Sequence, residues 1–358
     1  MTLFDYVDYY CDYSFKDKEF NEVDNVIFSV LAYINFDGIV CKNDSLKITI
    51  KEAANKFFLR YSDKELRKNF PIVKNAIKLF KHVCNTNRYK NIYMFNYSYL
   101  GDNFSQFSAV TFMLDNRNYY VAFEGTDHLV SGWEEDCKMA YTFPVNCQIL
   151  AKKYLDKHFS MKKVKLIIGG HSKGGNLALV ASMYCNYFVN RKIIKIYSND
   201  GQGLRRAQID SKFYDRVQDR FVHIIPNYSI VGLLLRHKDN YIVVKSSRRG
   251  IFSHNACTWQ VNFDHFERGE LSKFSKVFDE GVSNWLDKYD DEKRKMFVKS
   301  VFKVLYDNNV DDLTSIKLKK ELIIGIIKSS KDIDPLVKEM FVDLIKILNK
   351  TNKEYYLF

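Results

Sequence analysis

The sequence predicts an α/β fold: a mostly parallel central sheet flanked by helices, with a helical appendage at the C-terminal end. Three observations predict it. Short runs rich in Val, Ile, Tyr and Phe alternate with helical patterns from about residue 118 to residue 245. Residues 164–180 pass from an apolar strand-forming run through a Gly-rich turn straight into an Ala- and Leu-containing helical pattern. Residues beyond 266 show only helical periodicity. At 358 residues, 46% of them hydrophobic, the chain can bury a large core, so disorder is not indicated. These features divide it into an α/β domain at 1–265, whose first 85 residues are mainly helical, and a helical region at 266–358.

In chain order, Val26, Ile27, Val30, Leu31 and Ile34 share one face and predict a helix over 24–34, with Asn21 and Asp24 as cap candidates. Two more helices are expected over 46–59 and 63–80. The period then shortens. Residues 91–100, 108–114 and 119–123 read as strands, the last two joined by the turn Asp115-Asn116-Arg117-Asn118, and form an antiparallel approach to the main sheet. A helix over 143–159 precedes the strand at 164. Strands follow over 192–198, 220–225 and 241–245. Further on, Leu271, Phe274, Phe278, Val282 and Trp285 form one helical stripe, and Met296, Phe297, Val301, Val304 and Leu305 another. Residues 322–327 and 336–348 add two helices, the second opened by Asp334-Pro335. This appendage either packs on the α/β domain or serves as a membrane-surface or partner-binding module.

The chemistry concentrates at Gly170-His171-Ser172-Lys173-Gly174. This is G-x-S-x-G between strand and helix, the setting of a nucleophile elbow. A serine lifted above a sheet needs a strained turn with positive φ. The residues two before and two after it then approach closely, and glycine avoids the clash. The Lys173 amide opens the next helix, where the dipole favours an oxyanion. The plainer reading is a Gly-rich turn with a capping serine.

Three further positions fit around Ser172. The loop Phe123-Glu124-Gly125-Thr126-Asp127 is placed to give a second oxyanion donor, the Thr126 amide with possible help from its hydroxyl; alternatively Thr126 and Asp127 only cap the next helix. His254 lies past the last strand, where a base is expected, unless it is simply a surface-loop histidine. His171 sits inside the elbow, His223 is in mid-strand, and His128, His237 and His265 lack the position. For an acid, Asp200 stands at the end of the strand after the nucleophile, though Asp200-Gly201 could be a plain turn. The next strand ends Pro226-Asn227-Tyr228-Ser229, without an acid, and Asp239 and Asp264 are poorer candidates.

Composition narrows the classes. The N-terminus Met1-Thr2-Leu3-Phe4-Asp5-Tyr6 does not read as a secretory leader, and no apolar run approaches the ~18 residues of a membrane span. Seven scattered cysteines without C-x-x-C read as reduced thiols in a cytosol, and neither a metal nor another cofactor is expected. The net charge of +12 fits a lysine-rich soluble surface or attraction to an anionic membrane or substrate. No nucleic-acid-binding signature is present, and nucleic acid is not an expected partner.

Taken in order, several pieces resemble the Mbeg-like family of bacterial α/β-hydrolases, which is distantly similar to class 3 lipases. They are Phe20-Asn21-Glu22-Val23-Asp24, Phe123-Glu124-Gly125-Thr126-Asp127, Gly170-His171-Ser172-Lys173-Gly174-Gly175-Asn176-Leu177-Ala178, Ile225-Pro226, Ser229-Ile230-Val231-Gly232, Val243-Val244-Lys245-Ser246, and His254 with Trp259. The resemblance implies an α/β-hydrolase fold and a serine esterase or lipase. Two positions depart from it: Glu124 stands where the family favours Arg, and Ser229 stands where class 3 lipases carry the aspartate of the triad. The expected activity is cleavage of an acyl ester, from a small molecule or a lipid, by Ser172, His254 and Asp200. The alternative is an inactive interaction protein that keeps the scaffold.

Overall fold

The chain folds, in a computed structural model describing residues 1–101, 105–127, 129–238, 240–307 and 334–356, around a single eight-stranded sheet. The expected helix at 322–327, together with His128 and Asp239, lies outside the described residues.

Helices α1 (Leu3–Tyr9) and α2 (Glu22–Leu31) come first. Asn21 is the cap of α2: its side chain accepts from the amides of Val23 and Asp24, while Asp24 reaches back to the Asn21 amide. Asp24 is therefore the third residue of a capping box and not itself the cap. The expected helix at 46–59 is divided. Ile48–Thr49 forms the short strand β1, and α3 (Ile50–Arg60) begins behind Thr49, whose side chain caps it. The expected 63–80 helix is also two, α4 (Asp63–Leu66) and α5 (Pro71–Val83). Pro71 has no amide proton to donate, so it starts a helix instead of continuing one.

Strands β2 (Tyr93–Gly101), β3 (Gln106–Met113) and β4 (Asn118–Phe123) form the antiparallel meander. Helices α6 (Val130–Lys138) and α7 (Asn146–Phe159) lead to β5 (Lys165–His171), followed by α8 (Lys173–Tyr184), α9 (Tyr187–Asn190) and β6 (Ile193–Asn199). The short helices α10 (Arg206–Ile209) and α11 (Lys212–Asp215) precede β7 (Phe221–Pro226) and β8 (Tyr241–Val244). From β4 to β8 every neighbouring pair is parallel, and the strands lie side by side in chain order. The loops at the C-terminal ends of β4 to β8 therefore share one edge, where sites in such sheets form. The hairpin β9 (Val261–Asn262) and β10 (His265–Phe266) ends this part.

Both faces of the sheet are covered. Leu3, Val26, Ile27, Phe28 and Phe80 from α1, α2 and α5 pack on one side with Phe112, Tyr120, Trp259 and Phe266. Leu155, Phe159, Leu177 and Val180 from α7 and α8 pack on the other with Val121, Leu166 and Ile168. Helices α12 (Lys273–Lys288) and α13 (Asp291–Asp307) and a final helix, Pro335–Tyr356, share a separate cluster of Phe278, Trp285, Phe297, Phe302 and Met340 with Val130 of α6. No described helix is long and apolar enough to cross a membrane.

One buried ion pair ties the N-terminal helices together. The Arg88 guanidinium donates to both Asp24 oxygens, at 2.9 and 2.5 Å, and to the Lys18 carbonyl. Asp24 also accepts from Tyr6 and Tyr89. Removing one partner of such a pair strands a charge out of water. Asp24→Ala should therefore cost about 3–5 kcal/mol, read as a drop in the urea midpoint of unfolding; a loss below about 1 kcal/mol would contradict this account.

Candidate active site

The turn between β5 and α8 has the strain the motif requires. Ser172 stands at φ 58° and ψ −133°, a region L-residues seldom enter. A Cβ on Gly170 would lie 2.3 Å from the Gly174 carbonyl carbon, and one on Gly174 would lie 2.2 Å from the Phe123 oxygen. No larger side chain fits either place, so the two glycines let the turn close.

Asp200 follows β6 with φ 51°, and its side chain is fully buried. Its Oδ2 lies 2.6 Å from His254 Nδ1. Its Oδ1 accepts from Ser229 Oγ at 2.5 Å and from the Gly232 amide at 3.1 Å. An ionised carboxylate only accepts, so Nδ1 carries the proton and Nε2 keeps the basic lone pair of the neutral ring. The structure thus brings Asp200, Ser229 and His254 together from the ends of three neighbouring strands. Ser229, at the strand end lacking an acid, donates to the carboxylate supplied one strand earlier.

His171 ties the loop bearing His254 to the elbow. Its Nε2 donates to the His254 carbonyl at 2.7 Å, and the two rings lie 4.5 Å apart. Its Nδ1 accepts from the Tyr33 hydroxyl at 2.9 Å. Burial, then the neighbouring His254, pushes its pKa down to about 3, so the ring is neutral and fixed in one tautomer. Tyr33 also fills the space beneath Gly125, where a Cβ would stand 1.9 Å from its hydroxyl. Three other described histidines have different partners. His223 donates to the Gly201 carbonyl, His237 faces Asp279, and His265 binds Asp264, which Lys18 also holds.

At the expected oxyanion loop, Thr126 Oγ1 donates to Asp136. This corrects the expectation that the hydroxyl could assist, since its proton is committed; the backbone amide is what the loop can offer. Among the described residues neither the Thr126 nor the Lys173 amide has an acceptor. The Lys173 side chain adds a feature that local pattern does not reveal. It is buried, and Nζ donates to the Gln106 carbonyl at 3.0 Å and to Gln106 Oε1 at 3.1 Å. Gln106 Oε1 also accepts from the Asp127 amide at 3.1 Å. One glutamine on β3 therefore joins the elbow to the loop bearing Thr126.

Carboxylates surround this lysine. Burial alone would lower its pKa, but Asp136, Glu135 and Glu124 outweigh that and hold it above the usual lysine range. Glu135 accepts from Ser105 Oγ and from the amides of Gln106 and Cys147. Burial raises Asp136 to about 6. Burial, followed by repulsion from Asp127, raises Glu124 to about 8. A separate cavity of about 590 Å³, away from these residues, is lined by Arg205, Arg236, Asp287, Asp291 and Arg294, and ion pairs connect its walls.

A parallel sheet whose central strand feeds a strained serine, with an aspartate and a histidine on the following loops, defines the α/β-hydrolase fold. More narrowly, the chain belongs to the Mbeg1-like family, whose model matches residues 83–303. Among solved structures it is similar to the M37 lipase, with 14% identity over 58% of this chain and 68% of that one and a TM-score of 0.34. It is also similar to a fungal lipase in an inhibitor complex, with 14% identity over 42% of this chain and 65% of that one and a TM-score of 0.29. No curated protein matches the sequence.

Glu124 gives this site a pH signature. The unfolded chain releases its proton near 4.5, while the folded chain holds it to about 8. Between those values the folded state binds more protons, so this group makes stability fall as pH rises. Glu124→Gln should remove that slope. The melting temperature of the variant should gain on that of the native chain from pH 5 to pH 8 and then level off; a constant difference would show that Glu124 does not titrate this way.

Proposed function

We propose that the protein is a serine hydrolase of acyl esters. His254 Nε2 takes the Ser172 proton as Oγ bonds to the acyl carbon, and the carbonyl electrons move onto oxygen. The amides of Lys173 and Thr126 hold that oxyanion. Its collapse breaks the ester bond, and the imidazolium returns the proton to the leaving alcohol. Water, deprotonated by the same nitrogen, then releases the acid and restores Ser172. Asp200 stays ionised, keeping the ring in one tautomer and stabilising its charged form.

The observation that carries this reading is the bond from His254 to the fully buried Asp200, together with a serine in a strained turn at the end of the preceding strand. Structural packing alone has little use for it. An ionised group out of water is costly unless it is paired, and a partly exposed histidine is a poor structural partner. The alternative, an inactive scaffold, has no comparable use for the backbone strain at Ser172.

A fluorophosphonate probe should label the native chain, and Ser172→Ala should abolish the labelling. With a short p-nitrophenyl ester, Asp200→Asn should lower kcat by about 10³–10⁴-fold through the wrong tautomer, with a much smaller change in KM. Ser229→Ala, which removes only one of three bonds to Asp200, should cost far less. Folded native chain that neither labels nor turns over any such ester would favour the scaffold.

A further inference from the structure

We propose that the turn leading into His254 is a docking tip that seats the site on an anionic lipid bilayer. This deepens the ester-hydrolase reading and rests on it for its biological purpose. Residues Gly250–His254 form a short 3₁₀ turn. Two adjacent apolar side chains project from it, Ile251 at 49% and Phe252 at 73% exposure. Gly250, at φ +54°, has open space around it. Arg248 and Arg249 are exposed immediately before it, and no described carboxylate pairs with either. The Arg249 guanidinium rests on the Tyr228 ring at 5.6 Å, and the chain as a whole carries a net charge of +12.

The base of the turn is fixed where its tip is not covered. Ser253 Oγ donates to the Gly250 carbonyl at 2.7 Å, and the buried Trp259 indole donates to the Ser253 carbonyl at 2.9 Å. His171 holds the His254 carbonyl from the elbow side. The apolar tip is thus rigidly coupled to the base, with Phe252 two residues from His254.

An apolar pair beside exposed cations that no described carboxylate pairs matches an acyl–headgroup boundary with anionic lipid. A stable protein interface needs about 800 Å² from each partner, more than two side chains supply. A bilayer requires only that their tips enter.

The test is sedimentation of the full chain with vesicles of equal parts phosphatidylglycerol and phosphatidylcholine, against phosphatidylcholine alone. The native chain should partition onto the anionic vesicles and release as salt rises. Ile251→Ser with Phe252→Ser, and separately Arg248→Gln with Arg249→Gln, should each weaken partitioning at least tenfold while leaving the melting temperature unchanged. Ser172→Ala should bind as the native chain does, so a failure of the hydrolase reading leaves this result standing. Equal binding to neutral vesicles, undiminished binding by either pair of variants, or a dimer that the tip variants abolish would each overturn the proposal.

Discussion

The site depends on one carboxylate kept out of water. Asp200 has no exposed surface, yet it accepts from His254, from Ser229 and from the Gly232 amide. These donors come from the segments after β7 and β8, while Asp200 itself follows directly on β6. The parallel register puts those ends side by side, so one buried charge collects three loops with no long-range search by any of them. Charge-assisted bonds of this sort are stronger than neutral ones, and leaving the carboxylate bare would be costly. The same bonds that neutralise the burial cost of Asp200 also set the orientation of the imidazole.

A second knot holds the other side of the turn. Lys173 has two roles that point in opposite directions: its amide opens α8 beside Ser172, and its ammonium runs inward to Gln106 among Glu124, Glu135 and Asp136. Gln106 carries the connection onward to Asp127. The geometry of the two candidate oxyanion donors is thereby set by side chains that do not themselves face the reacting position. Glu124 is buried near the Lys173 ammonium, and a carboxylic acid raised to about 8 is neutral for much of the physiological range.

Much of this was legible in the sequence because it is local or ordered along the chain. The shortening of the period near residue 91 located the antiparallel meander that begins at β2, but not the short strand β1 before it. Gly170 and Gly174 marked the turn, while Asp200, at a strand end, and His254, in the loop past the last strand, were candidates weighed against a plain turn and a surface histidine. Helix ends were less legible. Thr49 and Pro71 broke two expected helices, because a cap or a missing amide proton overrides a continuous apolar stripe. The partners of Lys173 and His171 were not legible at all. Gln106 lies 67 residues from Lys173 and Tyr33 lies 138 from His171, and no local pattern encodes such a pairing. The supporting role of Ser229 was hidden in the same way: its place in the chain was noted only for lacking an acid.

The helices before residue 83 lie outside the span of the family match, yet they reach the site. Tyr33 orients His171, and Asn25 bonds to Asn199 beneath the elbow. Glu22 accepts from the Phe266 amide and pairs with Arg268, while Met1 and Val261 exchange backbone bonds, so the segment after His254 is fastened to the very start of the chain. The limits of a recognisable sequence family and the limits of a self-sufficient folding unit are therefore different here. An excised piece spanning only the recognisable stretch would leave one greasy side of its sheet bare and the imidazole loop without its mooring.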